Sequence, residues 1–376
     1  MKIKSILMST VIAASALTMT TTYAGNTTNT ALTSALGGVV GAAIGNQMGG
    51  QTGAMIGSAI GGGAGAAASA NKRDRNGAII GGALGGAGGY TVGKNMGGTN
   101  GGYIGAGLGS AGGAVLGKKV SEDRRYDDEY DRRFAGVAKI YGDEAFSYYE
   151  KSHVMVIGIG GVGSWADEAL ARTGVGELTL VDMDSIAASN VNRQLPAMSS
   201  TLGHEKIEVM AERCRSINPR IKINLIDDYL TPENVKEILE HRPDLILDCI
   251  DDVKAKLALM LHCRFNKIPL IVSGGAGGKL DPLKIRVADL SKTEQDPMLA
   301  KLRTQLRGMG ICKKPKEKFG ISCVYSIDNP FSSADVCPSA GLRCGGYGSA
   351  VVVTSSFAMV AVAEVLKKLD GMKAKQ

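Results

Sequence analysis

From residue 37 onward glycine returns at every fourth position, at Gly37, Gly41, Gly45, Gly49, Gly53, Gly57, Gly61 and Gly65. After a gap the lattice resumes at Gly77 and continues through Gly81, Gly85, Gly89, Gly93, Gly97, Gly101, Gly105, Gly109, Gly113 and Gly117. The positions between hold Ala, Val, Ile, Leu and Met, which a flexible linker does not. In water each glycine costs a helix about 1 kcal/mol relative to alanine, so the lattice requires an offsetting gain from close packing or from lipid. Small residues four apart let helix backbones touch. Four residues turn a helix by about 400 degrees, so the stripe drifts about 40 degrees per step and cannot keep one face for the whole run. The sequence also repeats at an offset of 48, since Ala-Leu-Gly-Gly at Ala35 recurs at Ala83 and Asn-Met-Gly-Gly at Asn95 echoes Gln-Met-Gly-Gly at Gln47. Each repeat is therefore expected to break into two helices, within 46–52 in the first and 95–100 in the second.

This stretch resembles the glycine-zipper domains of bacterial outer-membrane and surface proteins over residues 36–118. The resemblance implies a packing mode and, for the partners of this region, membrane or self-association. A helix of about 17 residues is about 25 Å long, close to a thin bilayer core. Ahead of the lattice, Lys2 and Lys4 precede the apolar run 6–17 and the small-residue site Thr22-Tyr23-Ala24, which reads as an export signal over residues 1–24. Membrane or envelope association is the resulting expectation for the N-terminal third.

The composition changes abruptly near residue 120. Thirty-one of the 52 glycines lie between Gly25 and Gly117, whereas all seven cysteines follow residue 213. The net charge of +7 also sits entirely in the first 120 residues, so it says nothing about nucleic-acid binding by the remainder. The cysteines are odd in number and form no Cys-x-x-Cys pair, which excludes a zinc tetrad of that type and fits thiols of a reducing compartment. The expected organisation is a signal at 1–24, a glycine-zipper region at 25–120, a charged linker at 121–131 and an α/β domain at 132–376.

In that last part short apolar runs alternate with helical patterns. Strands are expected at 154–159, 178–181, 221–226, 245–247 and 268–272, with helices from 162, over 205–217, over 232–240 and around 256–265. The fold class is α/β, a doubly wound Rossmann-like sheet preceded by an all-α helical segment. The run Gly-Ile-Gly-Gly-Val-Gly from Gly158 falls where the first strand enters its helix, so Gly158, Gly160, Gly161 and Gly163 can bring backbone amides to a phosphate. Asp182, at the end of the next strand, would hold a ribose hydroxyl. A nicotinamide dehydrogenase is the first reading of such a turn. It does not explain why Asp184, Asn190, Arg193, Gln194 and Lys206 follow, or why Asp251 ends a later strand. A triphosphate needs such cations, and an acid to hold magnesium.

The order G-x-G-G-x-G, D-x-D, N-x-x-R-Q, G-x-x-K and D-x-x-D resembles the ThiF/MoeB/HesA family, the adenylyltransferases related to ubiquitin-activating enzymes, from about Arg132 to the end. The resemblance implies that the four glycines cradle ATP and that Asp182 holds its ribose. Asp184, Asn190, Arg193, Gln194 and Lys206 would then line the phosphates, and Asp251 would bind Mg2+. Arg133 would reach the ATP of a partner subunit, which implies a homodimer with Arg133, Arg193, Lys206 and Asp251 as catalytic residues. The family activates a carboxylate as an acyl adenylate. The stretches around Gly163, Gly274 and Ser291, with the Ser-Cys-Val-Tyr-Ser run at Ser322, resemble its tRNA-modifying members. The carboxylate would be the threonyl group of threonylcarbamoyladenosine in tRNA, closed into a ring with loss of water. Cys323 is a candidate thiol, and sulfur-transfer proteins are candidate partners. Two other readings are an enzyme that adenylates the C-terminus of a ubiquitin-like or sulfur-carrier protein, and an envelope structural protein with a passenger α/β domain. An export signal before an ATP-dependent domain is a conflict of location. It is expected to reflect a fusion of neighbouring genes or a wrongly joined gene model.

Overall fold

The computed structural model describes residues 26–71, 74–314, 317–329 and 347–374. The export signal expected at 1–24 lies outside the described residues, as do Cys337 and Cys344. The chain divides into two compact units, one ending at Asp131 and the other beginning at Arg132.

In the N-terminal unit, α1 (Asn26–Ser69) and α2 (Arg75–Tyr141) are each interrupted once, at Gly49–Gly50 and at Gly97–Gly98. Gly50 and Gly98 take positive φ angles of 58° and 61°, and these breaks fall in the two windows where the drift of the glycine stripe requires them. Each interrupted helix folds into a hairpin with the glycines of one arm against those of the other. A Cβ on Gly41 would overlap the carbonyl of Gly57, and one repeat later a Cβ on Gly89 would overlap the carbonyl of Gly105. The Ser34 hydroxyl reaches the Gly62 carbonyl of its own hairpin at 2.8 Å and the Ser110 carbonyl of the other hairpin at 2.9 Å. Residues 121–131, expected as a linker, are helical and belong to α2.

Among the described residues no helix is long and apolar enough to cross a membrane. This overturns the expectation of membrane or envelope association drawn from the zipper. Glycine, alanine and serine carry little apolar surface, and here they are spent on contacts between arms. Large aliphatic side chains such as Ile60, Leu84 and Leu108 occupy outer positions, whereas Tyr90 is buried among Ala42, Ala54 and Ala106. The 4-residue lattice specifies how helices approach one another and does not specify the solvent around them.

The second unit begins with the end of α2 and α3 (Asp143–Tyr149), followed by a Rossmann-like alternation. Its elements are β1 (His153–Ile157), α4 (Gly163–Arg172), β2 (Glu177–Val181), α5 (Lys206–Ile217), β3 (Lys222–Ile226), the single turn α6 (Val235–Ile238) and β4 (Leu245–Asp248). Then come α7 (Val253–Asn266), β5 (Leu270–Ser273), β6 (Ile285–Asp289), α8 (Pro297–Gly308), β7 (Ser322–Ser326) and α9 (Val351–Lys373). The sheet order is β3-β2-β1-β4-β5-β7-β6, parallel throughout except for the antiparallel edge strand β6. Strands β4 and β5 are buried at every position, as a parallel sheet covered on both faces demands.

One apolar core, containing Leu170, Met210 and Phe357, packs α4, α5 and α9 on one face of the sheet. The other, containing Leu259, Leu302 and Tyr325, packs α7 and α8 on the opposite face. The run at 351–366, long enough to suggest a membrane helix, is part of α9. It buries Val353, Phe357, Ala361, Val365 and Leu369 along one side. Truncating a side chain such as Phe357 is worth about 3–5 kcal/mol.

Candidate nucleotide-binding site

Parallel order places the carboxyl ends of β1, β2, β4 and β5 along one edge of the sheet, where open α/β sheets hold their ligands. The order steps from β1 to β4 at the centre, and the glycine turn follows β1. Gly158 has φ 90°, and a Cβ there would come within 3.0 Å of the Cys249 backbone. A Cβ on Gly163 would collide with the Gly158 carbonyl, so both glycines are required by close backbone approach. Gly160 has open space beside it, its nearest neighbour being the Gln194 amide at 4.0 Å. The turn is braced by Ser164, whose hydroxyl donates to the Gly160 carbonyl at 2.6 Å and accepts from the Leu195 amide at 3.2 Å.

Asp182 follows β2 and is nearly buried. Its carboxylate accepts from the Ile159 amide at 2.6 Å and from the Asp184 amide at 2.8 Å. Burial pushes its pKa up, against the opposing pull of Lys206 and the two amides. Lys206 opens α5 and is itself buried, with its ammonium 2.6 Å from Asp184 and 3.9 Å from Asp182. Asp184 also accepts a short hydrogen bond from the Tyr229 hydroxyl. Partial burial opposes its charge, but the hydrogen bonds from Lys206 and Tyr229 prevail and hold it below the usual carboxylate range.

Asn190 accepts from the Ala187 amide at 3.0 Å, and the Arg193 and Gln194 amides in turn bond to the Asn190 carbonyl. The Arg193 guanidinium folds onto the Ser189 carbonyl and the Asn192 side chain, at 2.9 and 3.0 Å. The Trp165 indole donates to the Arg193 carbonyl at 3.0 Å, fixing this turn against α4. Gln194 is buried, and its side-chain carbonyl oxygen has no hydrogen-bond partner among the described residues. Gly161 meets both the Arg193 side chain and Thr354 of α9 at 3.3 Å from where its Cβ would lie.

Asp251 is exposed just beyond β4. Its neighbour Asp252 caps α7 by accepting from the Lys254 and Ala255 amides, at 2.8 and 2.9 Å. The loop is held from beneath by a fully buried ion pair, Asp248 to Lys256 at 3.0 Å. Asp248 also accepts from the Ile250 amide at 3.0 Å, and Lys256 donates to the Ser273 carbonyl at 2.9 Å. Among the described residues no group of three or more His, Cys, Asp or Glu side chains could hold a metal ion by itself.

Two expected site residues stand apart. Arg133 donates to the carbonyls of Ser216 and Ile217, both at 3.0 Å, at the end of α5 opposite Lys206. The twelve residues of α5 separate the two positions by about 16 Å. Cys323 is fully buried in β7, and burial pushes its thiol up, away from the thiolate form.

Three features escaped the sequence reading. Tyr229 reaches Asp184 from a loop 45 residues away, and no local pattern marks it. The Asp248–Lys256 pair left a trace, a charged residue at the end of an apolar strand and a lysine just before the apolar stretch Leu257 to Leu261 of the next helix. Ser164 and Trp165 were visible only as the first turn of α4.

A glycine turn opening a helix, with an acid on the neighbouring strand and cations beyond it, defines an ATP-type site on a doubly wound sheet. The ThiF family model matches residues 130–376, and a model of the YMGG-like Gly-zipper matches residues 1–73. The chain belongs to the ThiF family over its α/β part. It is 45% identical over 261 residues to the tRNA threonylcarbamoyladenosine dehydratase of Escherichia coli, covering 66% of this chain and 97% of that protein. The Haemophilus influenzae protein of the same name is 47% identical over 64% of this chain and 95% of its own length. The crystal structure of the E. coli dehydratase in complex with ATP matches with a TM-score of 0.61, covering 66% of this chain and 98% of that one. The complex with AMP gives the same score.

Proposed function

We propose that the α/β unit catalyses the ATP-dependent dehydration of threonylcarbamoyladenosine in tRNA through an acyl adenylate. The observation that carries this reading is 45% identity across 97% of the E. coli dehydratase, a protein whose structure has been solved with ATP and with AMP. The glycine turn and the Asp182, Lys206 and Arg193 groups all lie beyond the carboxyl ends of β1 and β2, and Asp251 lies beyond β4.

In this reading the amides at the start of α4 receive the ATP phosphates, and Gly160 leaves the room they require. Asp182 accepts hydrogen bonds from the ribose hydroxyls. Lys206 turns from Asp184 toward phosphate, and Arg193 leaves the Ser189 carbonyl to do the same. The Gln194 oxygen, without a partner among the described residues, is available to a donor on the ligand. These cations offset charge that builds up as the threonyl carboxylate oxygen attacks the α-phosphate and pyrophosphate departs. Closure of the ring by an internal atom of the same side chain then releases AMP. Asp251 fits a hydrated Mg2+, an ion commonly held by one or two carboxylates together with substrate phosphates. The ion would neutralise phosphate charge.

We further propose a homodimer in which Arg133 acts at the partner's nucleotide, since it lies a helix length from Lys206 in its own chain. Exposed Ile44, Met48 and Ile60, repeated one unit later by Val92, Met96 and Leu108, support self-association of the N-terminal unit. Sedimentation of the full chain tests both. For the chemistry, pyrophosphate release should require tRNA bearing threonylcarbamoyladenosine and should vanish in Arg193→Ala. Equal release with unmodified tRNA would contradict the reading.

A further inference from the structure

The loop that follows β5, residues 274–281, leaves the sheet at the same edge as the glycine turn and beside the loop of Asp251, because β5 neighbours β4. Nothing in the nucleotide site uses it, yet it is tied down along its length. Asp296, the cap of α8, accepts from the Gly275 amide at 2.9 Å. The Gly278 amide donates to the Gly348 carbonyl at 2.8 Å. The Asp328 carboxylate accepts from the Leu280 and Asp281 amides, both at 3.0 Å, and from the Lys284 ammonium at 2.9 Å.

At the centre of these ties is Lys279, only 4% exposed. Its ammonium donates to the Gln295 carbonyl at 3.2 Å, to the Ser326 carbonyl at 3.4 Å and, by a short hydrogen bond, to the Asp328 carbonyl. A buried ammonium is strongly unfavourable unless its protons are satisfied. Here three carbonyls from the turn before α8, the end of β7 and the segment beyond it take that role. The side chain acts as a tethered cation that locks three segments under the loop.

What the locked loop displays is unlike its foundation. Leu280 is 67% exposed, and Tyr347, 54% exposed, stands 3.6 Å from where a Cβ on Gly277 would lie. An exposed tyrosine and leucine beside bare glycine backbone suit an unstacked base, since RNA read at single-stranded loops is commonly gripped by stacking on aromatic side chains.

We propose that loop 274–281 with Tyr347 is the platform that receives a splayed base of the tRNA substrate, and that Lys279 is the positioning residue that holds it. The inference rests on the proposed tRNA activity. It assigns the recognition of RNA to the β5 side of the edge and that of ATP to the β1 and β2 side.

The test is steady-state dehydration by the full chain with modified tRNA, alongside ATP binding measured by calorimetry. Tyr347→Ala, a surface change, should raise the KM for tRNA about ten-fold, in keeping with the worth of one base stacked on an aromatic ring. Its kcat and its affinity for ATP should stay within two-fold of the parent. Tyr347→Phe should restore the parent KM. Lys279→Met should raise the same KM at least as much while ATP affinity is retained. Should Lys279→Met fail to fold, Asp328→Asn, which loosens the same loop, replaces it with the same expected direction. An unchanged KM in Tyr347→Ala, or ATP affinity falling in step with tRNA use, would overturn the proposal. Absence of dehydration by the parent chain would instead remove the activity on which it rests.

Discussion

Glycine does opposite work in the two units. In the N-terminal hairpins it lets helix touch helix, and the atoms that would meet a methyl at Gly41 or Gly89 are backbone carbonyls of the facing arm. In the α/β unit Gly158 and Gly163 bring strand, turn and helix together so that the space at Gly160 stays open. One use fills space and the other reserves it. The interiors differ accordingly, since the first is built mainly from small residues around Tyr90, whereas the second includes a fully buried ion pair. Contact by backbone is therefore tolerant of sequence between the glycines, and contact by charge is tied to particular residues.

The largest effect is expected of Gly57→Leu. The side chain would be driven into Gly41, and the first hairpin should open, seen as loss of helical circular dichroism with ATP binding unchanged. Loss of ATP binding in this variant would show that the two units do not fold independently. Next in size is Lys256→Met, which leaves Asp248 buried without its partner. The expected loss is about 3–5 kcal/mol, or about 10 °C in the Tm of the α/β unit. Gly163→Ala forces a methyl against the Gly158 carbonyl, at about 1–3 kcal/mol, and should weaken ATP binding more than it lowers Tm. The smallest effect concerns pH. Asp184 is held below the ordinary carboxylate range, so its pairing contributes stability at neutral pH that is lost as pH falls below about 4 through the folded value. Asp184→Asn should flatten that limb of the stability profile, measured by denaturant titration from pH 3 to 7.

The sequence revealed most where structure is local or periodic. The breaks at Gly49–Gly50 and Gly97–Gly98 follow from helical geometry and a repeat of 48, and the buried strands β1, β2, β4 and β5 were visible as apolar runs. Beyond β5 that legibility ends. The edge strand β6 is only five residues long and mixes charged with apolar positions, and α8 and β7 were read as motifs without an assigned conformation. The expected helix at 232–240 shrinks to one turn followed by a tighter 3-10 turn. The placement of the glycines after β1 and of Asp182 after β2 was legible from their spacing. The Tyr229 hydrogen bond and the Lys279 anchor were not, because they join residues 16 to 49 positions apart. The membrane expectation failed for a related reason, since a packing lattice names its partner helix and leaves the surrounding medium unspecified.

The most direct test of dehydration by this chain is mass analysis of nucleosides after incubating the full chain with ATP, magnesium and tRNA carrying threonylcarbamoyladenosine. Loss of one water from that nucleoside, dependent on ATP and absent in Arg193→Ala, is the expected result. A nucleoside of unchanged mass, with ATP still bound by the protein, would contradict it.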